Sequence, residues 1–319
     1  MSAAADLVQG FALSPQQRRL WLLEAERRGA LRAEIAAILE APAGLAGVES
    51  ALEAALRRHE VLRTRFRRVP GMSLPVQAIG DEPQLRVETR PAAPEDPAAA
   101  AAAVLAELAA APVDPAEGPL GHVALAPAGP DRVLLCASLS SLVADGPSLS
   151  VLVREVAGGA GGRAAGGEPI QYADAAQAFN DLLESEEARE GKSFWQERDD
   201  PASWPRLRLP LGPGGAPAEG AGGAALEGAA GAELVARARG AAERLGVPAR
   251  AFWLACWAVV LARASGSREV VLAARLDGRS YEGLDAAVGP FARTVPIPCE
   301  VRDEEPVAAL AARMAEALT

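Results

Sequence analysis

Val133-Leu134-Leu135-Cys136-Ala137-Ser138-Leu139-Ser140-Ser141-Leu142-Val143-Ala144-Asp145-Gly146 is the stretch from which the fold can be read. Its first seven residues make an apolar run of strand length, the pattern of a strand covered on both faces. Beyond Gly146, Leu149, Leu152, Val153 and Val156 recur at helical spacing. Residues 140–146 are therefore predicted to be the loop joining a central strand to a helix. Side chains on such turns commonly carry function.

Working outward, Ser14-Pro15-Gln16-Gln17 predicts a helix start, with a serine cap, proline at the first helical position and glutamine placed to close a capping box. Val48, Leu52, Ala55 and Leu56 share one helical face and lead into an alternating strand at residues 62–67, where Arg63, Arg65 and Arg67 line the polar side. Residues 97–111 read as a surface helix with Val104, Leu105 and Leu108 inward. Residues 158–167 and 212–231 are rich in glycine and read as loop and linker, and residues 172–195 between them as mainly helical. The second half repeats the mixed character: helices at 233–245 and 248–264, strands at 270–274 and 294–301, and a helix from Pro306. Trp253 and Trp257, four apart with Phe252 beside them, are expected in the core.

With 319 residues, half of them apolar, the chain can bury two cores. A net charge of -10 without a basic run argues against nucleic acid or an anionic membrane as partner. The N-terminus has no basic and apolar leader pattern, and the apolar run at 251–262 is too short to span a bilayer. Cys136, Cys256 and Cys299 lie far apart in apolar surroundings and read as small buried hydrophobes, which fits a reducing cytoplasm. Only His59 and His122 are present, too few for a histidine-rich metal site.

Five ordered segments resemble the condensation domains of nonribosomal peptide synthetases, in the chloramphenicol-acetyltransferase-like superfamily. Leu13-Ser14-Pro15-Gln16-Gln17-Arg18-Arg19-Leu20-Trp21 is similar to the family's opening motif, and Arg58-His59-Glu60-Val61-Leu62-Arg63-Thr64-Arg65-Phe66 to its RHExLRTxF motif. Gly118-Pro119-Leu120 resembles the approach to the central strand, and Phe194-Trp195 with Leu209-Pro210 the crossover segment. Val288-Gly289-Pro290-Phe291 with Thr294-Val295-Pro296 is similar to VGxFxNTxPxR. The resemblance implies an α/β, or α+β sandwich, fold of two acetyltransferase-like lobes arranged as a V. A tunnel between them would admit the phosphopantetheine arms of carrier proteins, with no cofactor or metal bound by the chain itself.

Two departures follow. Where the family carries HHxxxDG, whose second histidine stands between acyl thioester and attacking amine, this chain has Ser140, Ser141, Asp145 and Gly146. A serine hydroxyl is far too weak a base for that proton, whereas imidazole titrates near the working pH. The chain also stops soon after the VGxFxNTxPxR-like segment, so the second lobe is expected to be incomplete. The expected division is an N-terminal lobe at 1–170, a crossover helix and linker at 171–231, and a partial C-terminal lobe at 232–319. Asp145 is expected, by the resemblance, to pair with Arg63 and hold the loop in shape; the competing reading is a solvated helix cap. Ser141 as nucleophile would need a base and an orienting group, and neither histidine matches a catalytic position. A backbone N–H at Gly146 could still serve an oxyanion.

Two functions compete. One is a catalytically inactive condensation-like domain that recruits a carrier protein, a neighbouring adenylation domain or a tailoring oxygenase in natural-product assembly. The other is an active acyltransferase that forms an amide or ester by positioning alone. An incomplete second lobe would also leave an apolar face around Phe252, Trp253 and Trp257, with self-association or a covering partner as its consequence.

Overall fold

The structure, a computed structural model, describes residues 10–27, 31–92, 96–164, 166–197 and 230–318, with 204, 205, 207 and 228. The linker expected at 212–231 and Leu209-Pro210 fall mostly outside the described residues. The chain divides into two compact units, one running to Glu190 and including Asp277–Arg293, the other comprising Gly191–Leu276 and Thr294–Thr319.

The first unit contains α1 (Pro15–Arg27), β1 (Arg32–Glu40), α2 (Gly44–Arg58), β2 (Thr64–Arg67), β3 (Val76–Ile79), β4 (Leu85–Thr89), α3 (Pro97–Ala110), β5 (Gly121–Pro127), β6 (Arg132–Ser140), α4 (Gly146–Ala160) and α5 (Tyr172–Glu184). Four strands form a sheet in the order β1-β6-β5-β4, and β2 pairs with β3. β6 runs antiparallel to both β1 and β5, whereas β4 runs parallel to β5. The apolar run of β6 from Val133 to Ala137, resumed at Leu139 after Ser138, has its reason here. Val133, Leu135, Ala137 and Leu139 face a core built with Val48, Leu52 and Leu56 of α2 and Leu149, Leu152 and Val156 of α4. Leu134 and Cys136 point the other way, against Ala100 and Leu108 of α3.

The capping box closes as expected: Gln17 N–H donates to Ser14 Oγ at 3.0 Å, and Ser14 N–H to Gln17 Oε1 at 3.1 Å. At α3, Asp96 Oδ1 accepts from the N–H groups of Ala98 (3.0 Å) and Ala99 (3.2 Å). Asp96→Ala is expected to cost about 1 kcal/mol, read as a lowered urea midpoint with an unchanged slope.

The first unit runs on through Glu190, into the stretch read as crossover helix, and takes in Asp277–Arg293. The reason is burial: α5 sets Tyr172, Ala176 and Phe179 into the first core, and Leu284, Val288 and Phe291 return to that same core from beyond β7. The helix expected over 172–195 is interrupted at Ser185, and α6 (Ala188–Glu197) resumes it.

The second unit contains α7 (Ala232–Arg244), α8 (Ala249–Ser265), β7 (Glu269–Leu276), β8 (Arg293–Glu300) and α9 (Val307–Glu316), with β7 paired to β8. Its core joins Ala251, Ala255, Ala258 and Ala262 of α8 to Val270, Leu272, Ile297, Leu310 and Met314. The tryptophans expected in that core are not in it: Trp253 is 42% exposed and Trp257 54%. Small alanines let α8 approach the strands closely, and the aromatic stripe faces outward. Among the described residues no single helix is long and apolar enough to cross a membrane.

Candidate active site

Ser140 ends β6 and Asp145 caps α4, so the loop between them is pinned at both ends. Ser140 is buried; its N–H donates to Leu120 O at 2.8 Å, and its Oγ accepts from Leu142 N–H at 3.3 Å. Ser141 N–H donates to Leu31 O at 2.9 Å. Gln17, having closed its capping box, extends Nε2 to Leu142 O at 3.1 Å and to Gln77 Oε1 at 2.9 Å. The opening motif thus holds the 140–146 loop from below. Gly146 begins α4, and a Cβ there would meet nothing within 4 Å, so this helix N-terminus faces open space.

Asp145 does not pair with Arg63. Arg63 sits on a tight turn after α2, where its Nε donates to Arg57 O at 3.1 Å, its Nη1 to Gly80 O, and its Nη2 lies 3.9 Å from Glu60. The guanidinium is consumed in tying the end of α2 to the end of β3. The partner of Asp145 is Arg279, two-pronged, with Nη2 at 3.0 Å from Oδ1 and Nη1 at 3.1 Å from Oδ2. Both side chains are 4% exposed. Oδ1 also accepts from Ser148 N–H (2.8 Å) and lies 2.7 Å from Ser148 Oγ; Oδ2 accepts from the N–H groups of Phe291 (3.0 Å) and Ala292 (2.8 Å).

Asp145 is accordingly both a helix cap and half of a buried ion pair, a combination that neither expectation contained. Burial by itself would raise its carboxyl pKa, but the bonds from Arg279 and Ser148 outweigh desolvation and hold it below the usual carboxylate range. Every lone-pair direction is occupied, so this carboxylate is a latch and not a proton acceptor.

The latch explains why the 288–291 segment has its sequence. Gly289 N–H donates to Ser148 Oγ at 2.9 Å, and the Arg279 guanidinium stacks on the Phe291 ring at 4.6 Å. Arg279 and the backbone donors of Phe291 and Ala292 were not legible as site residues, because they lie more than a hundred residues from Asp145 and no periodicity links them; Ser148, three residues on, was within reach of a local cap pattern and was missed.

Both imidazoles are engaged elsewhere. His59 Nε2 is 2.9 Å from Glu155 Oε2, and His122 Nε2 donates to Pro112 O at 2.9 Å. Among the described residues neither histidine reaches Ser140 or Ser141. The cysteines offer no substitute, since burial pushes the Cys136 thiol up to about 11 and raises those of Cys256 and Cys299. The loop has the geometry of a positioned site but supplies no base.

Comparison with known proteins agrees with this architecture. Phosphinothricin tripeptide synthetase PhsC of Streptomyces viridochromogenes is 33% identical over 297 residues, covering 89% of this chain and 27% of that protein, so the chain spans about a quarter of its relative. The condensation domain from Monacolin K polyketide synthase MokA superposes with a TM-score of 0.81 at 21% identity, over 97% of this chain and 72% of that one. The teicoplanin X-domain, in its complex with OxyB, gives 0.71 at 23% identity, over 99% and 70%. The family model for the condensation domain matches residues 8–319, and with the mixed α/β fold and the strand-to-helix loop in place, the chain belongs to the condensation domain family.

Proposed function

We propose that this chain is a condensation domain that forms no peptide bond and instead acts as a recruiting platform in a nonribosomal peptide or hybrid synthetase. The observation that carries the reading is the pair Ser140 and Ser141 at the end of β6, beside a fully bonded Asp145. In the resemblance, the second residue of the pair would take a proton from the attacking amine. Serine cannot do so near neutral pH, and among the described residues no other base reaches that position. The latch still holds the loop in shape, which fits a body retained for its surfaces. Its partners on this reading are a carrier protein bearing a phosphopantetheine-bound aminoacyl group and a tailoring enzyme or neighbouring adenylation domain. The teicoplanin X-domain, similar in fold and recorded with OxyB, is a precedent for a condensation fold with such a partner.

The direct test offers the protein a donor acyl thioester on one carrier and an aminoacyl group on another, with products followed by intact-protein mass spectrometry. No amide product is expected above the uncatalysed background. Turnover that disappears in Ser141→Ala would overturn the reading and favour an acyltransferase that works by positioning and the open helix N-terminus at Gly146. Ser141→His places an imidazole on a loop whose latch is intact, and a gain of about 100-fold or more over the parent is expected, the usual contribution of a general base. Absence of any gain would mean that more than the base is missing.

A further inference from the structure

Between α5 and residues 281–284 of the first unit lies a groove of about 440 Å3. Its floor is apolar, made by Ile170, Phe179, Leu182 and Tyr281, and its rim carries Asp174, Glu187 and Glu282. The floor is fixed from beneath, because the Phe179 ring packs against Phe291 at 6.2 Å and against Tyr281 at 6.3 Å. Tyr281 is nevertheless 56% exposed, an aromatic surface that folding has not covered.

Among the described residues no basic side chain is paired with any of the three rim carboxylates. Arg293 stacks over the Phe179 ring, and Arg189 is bound to Glu186. The surrounding sequence reinforces the sign, since Asp174, Asp181, Glu184, Glu186, Glu187 and Glu190 stand against Arg189 alone in residues 172–190.

An occupant must therefore bring apolar bulk for the floor and positive charge for the rim. The rim charges are also spread out: roughly 15 Å of helix separates Asp174 from the end of α5, beyond which Glu187 follows. One ammonium group cannot answer both, so the cations must be spaced along a chain. We propose that this groove docks a basic amphipathic helix of a partner polypeptide, its aliphatic or aromatic anchor on Phe179, Leu182 and Tyr281 and its lysines or arginines against Asp174, Glu187 and Glu282. The inference holds whether or not the chain catalyses, so the binding assay below and the amide-bond assay above fail separately.

The probe is a fluorescein-labelled amphipathic helix of leucine and lysine, with a leucine and glutamate counterpart as control, titrated with the whole chain and read by anisotropy. The lysine peptide is expected to bind, and more weakly as salt rises. The triple variant Asp174→Asn, Glu187→Gln, Glu282→Gln should bind roughly tenfold more weakly, three rim pairs of modest size acting together. Tyr281→Ala should weaken binding as well. All four substituted positions are exposed, so the fold is not at stake. A second triple variant, Glu40→Gln, Glu53→Gln and Glu82→Gln, removes the same charge from exposed residues of the first unit that do not line the groove and should leave binding within a factor of two.

Failure of the lysine peptide to bind, or binding equal to that of the glutamate peptide, would overturn the proposal. Equal losses in the two triple variants would replace it with a diffuse attraction to an acidic protein. Sensitivity to the rim charges without sensitivity to Tyr281 would equally defeat the groove as the seat.

Discussion

Asp145→Ala is expected to destabilise the first unit by on the order of 3–5 kcal/mol, because it strands a guanidinium that is buried and has no other carboxylate of comparable burial. Among the described residues Arg279 would keep Asp277, whose side chain is 58% exposed, as its one acidic partner. The backbone N–H groups of Phe291 and Ala292 and the Ser148 hydroxyl would lose their acceptor in the same step. Arg279→Ala should cost a similar amount, and the double variant much less than the sum, with a coupling of about 1–3 kcal/mol in a urea double-mutant cycle. Additive losses would mean that the two side chains do not act on one another.

The pH dependence carries a sign. The folded carboxyl is held below its ordinary value, so its contribution is fully present above the unfolded value near pH 4 and is lost as pH falls through the lower folded value. The stability gap between parent and Asp145→Asn should therefore be flat from neutral pH to about pH 5 and close only in stronger acid.

That same pair shows what a single sequence yields and where it stops. The strand, loop and helix around residues 133–156 were legible because each is a local pattern: a two-faced apolar run, a break, and a 3.6-residue period. The capping box of Ser14 and Gln17 was legible for the same reason. The short strands β3 and β4 were not, since four or five residues with mixed burial offer too few repeats of a two-residue period. Nor was Arg279. It follows a left-handed glycine, and its partners are fixed only when Asp277–Arg293 folds back on the first unit, whereas Arg63 was named from the resemblance and not from any pattern linking it to Asp145. The tryptophans of α8 misled through a different cause: apolar spacing marks which residues share a face, but the alanine face and the aromatic face of α8 are equally periodic. The absence of a histidine pair, in contrast, needs no folding to be seen, and the structure adds that the neighbouring Asp145 is too fully bonded to stand in for it.

Gly278→Ala is expected to cost on the order of 4 kcal/mol, among the largest effects a single methyl group can have. Gly278 has φ +77°, where an L side chain is strained, and a Cβ there would collide with the Phe291 carbonyl group, lying only 2.8 Å from its carbon. Backbone cannot swing aside as a side-chain tip can. Gly162 is a matched control: its φ is +78° and a Cβ would meet nothing within 4 Å, so Gly162→Ala isolates the conformational strain, about 1 kcal/mol. If the two variants unfolded at the same urea concentration, the close approach to Phe291 would be of no consequence. The collision also has a direction, because the amide of Phe291 is one of the donors that hold Asp145. Displacing that residue loosens the latch, so Gly278→Ala and Asp145→Ala should be strongly sub-additive. Full additivity would confine the glycine's role to its own turn and remove it from the support of the 140–146 loop.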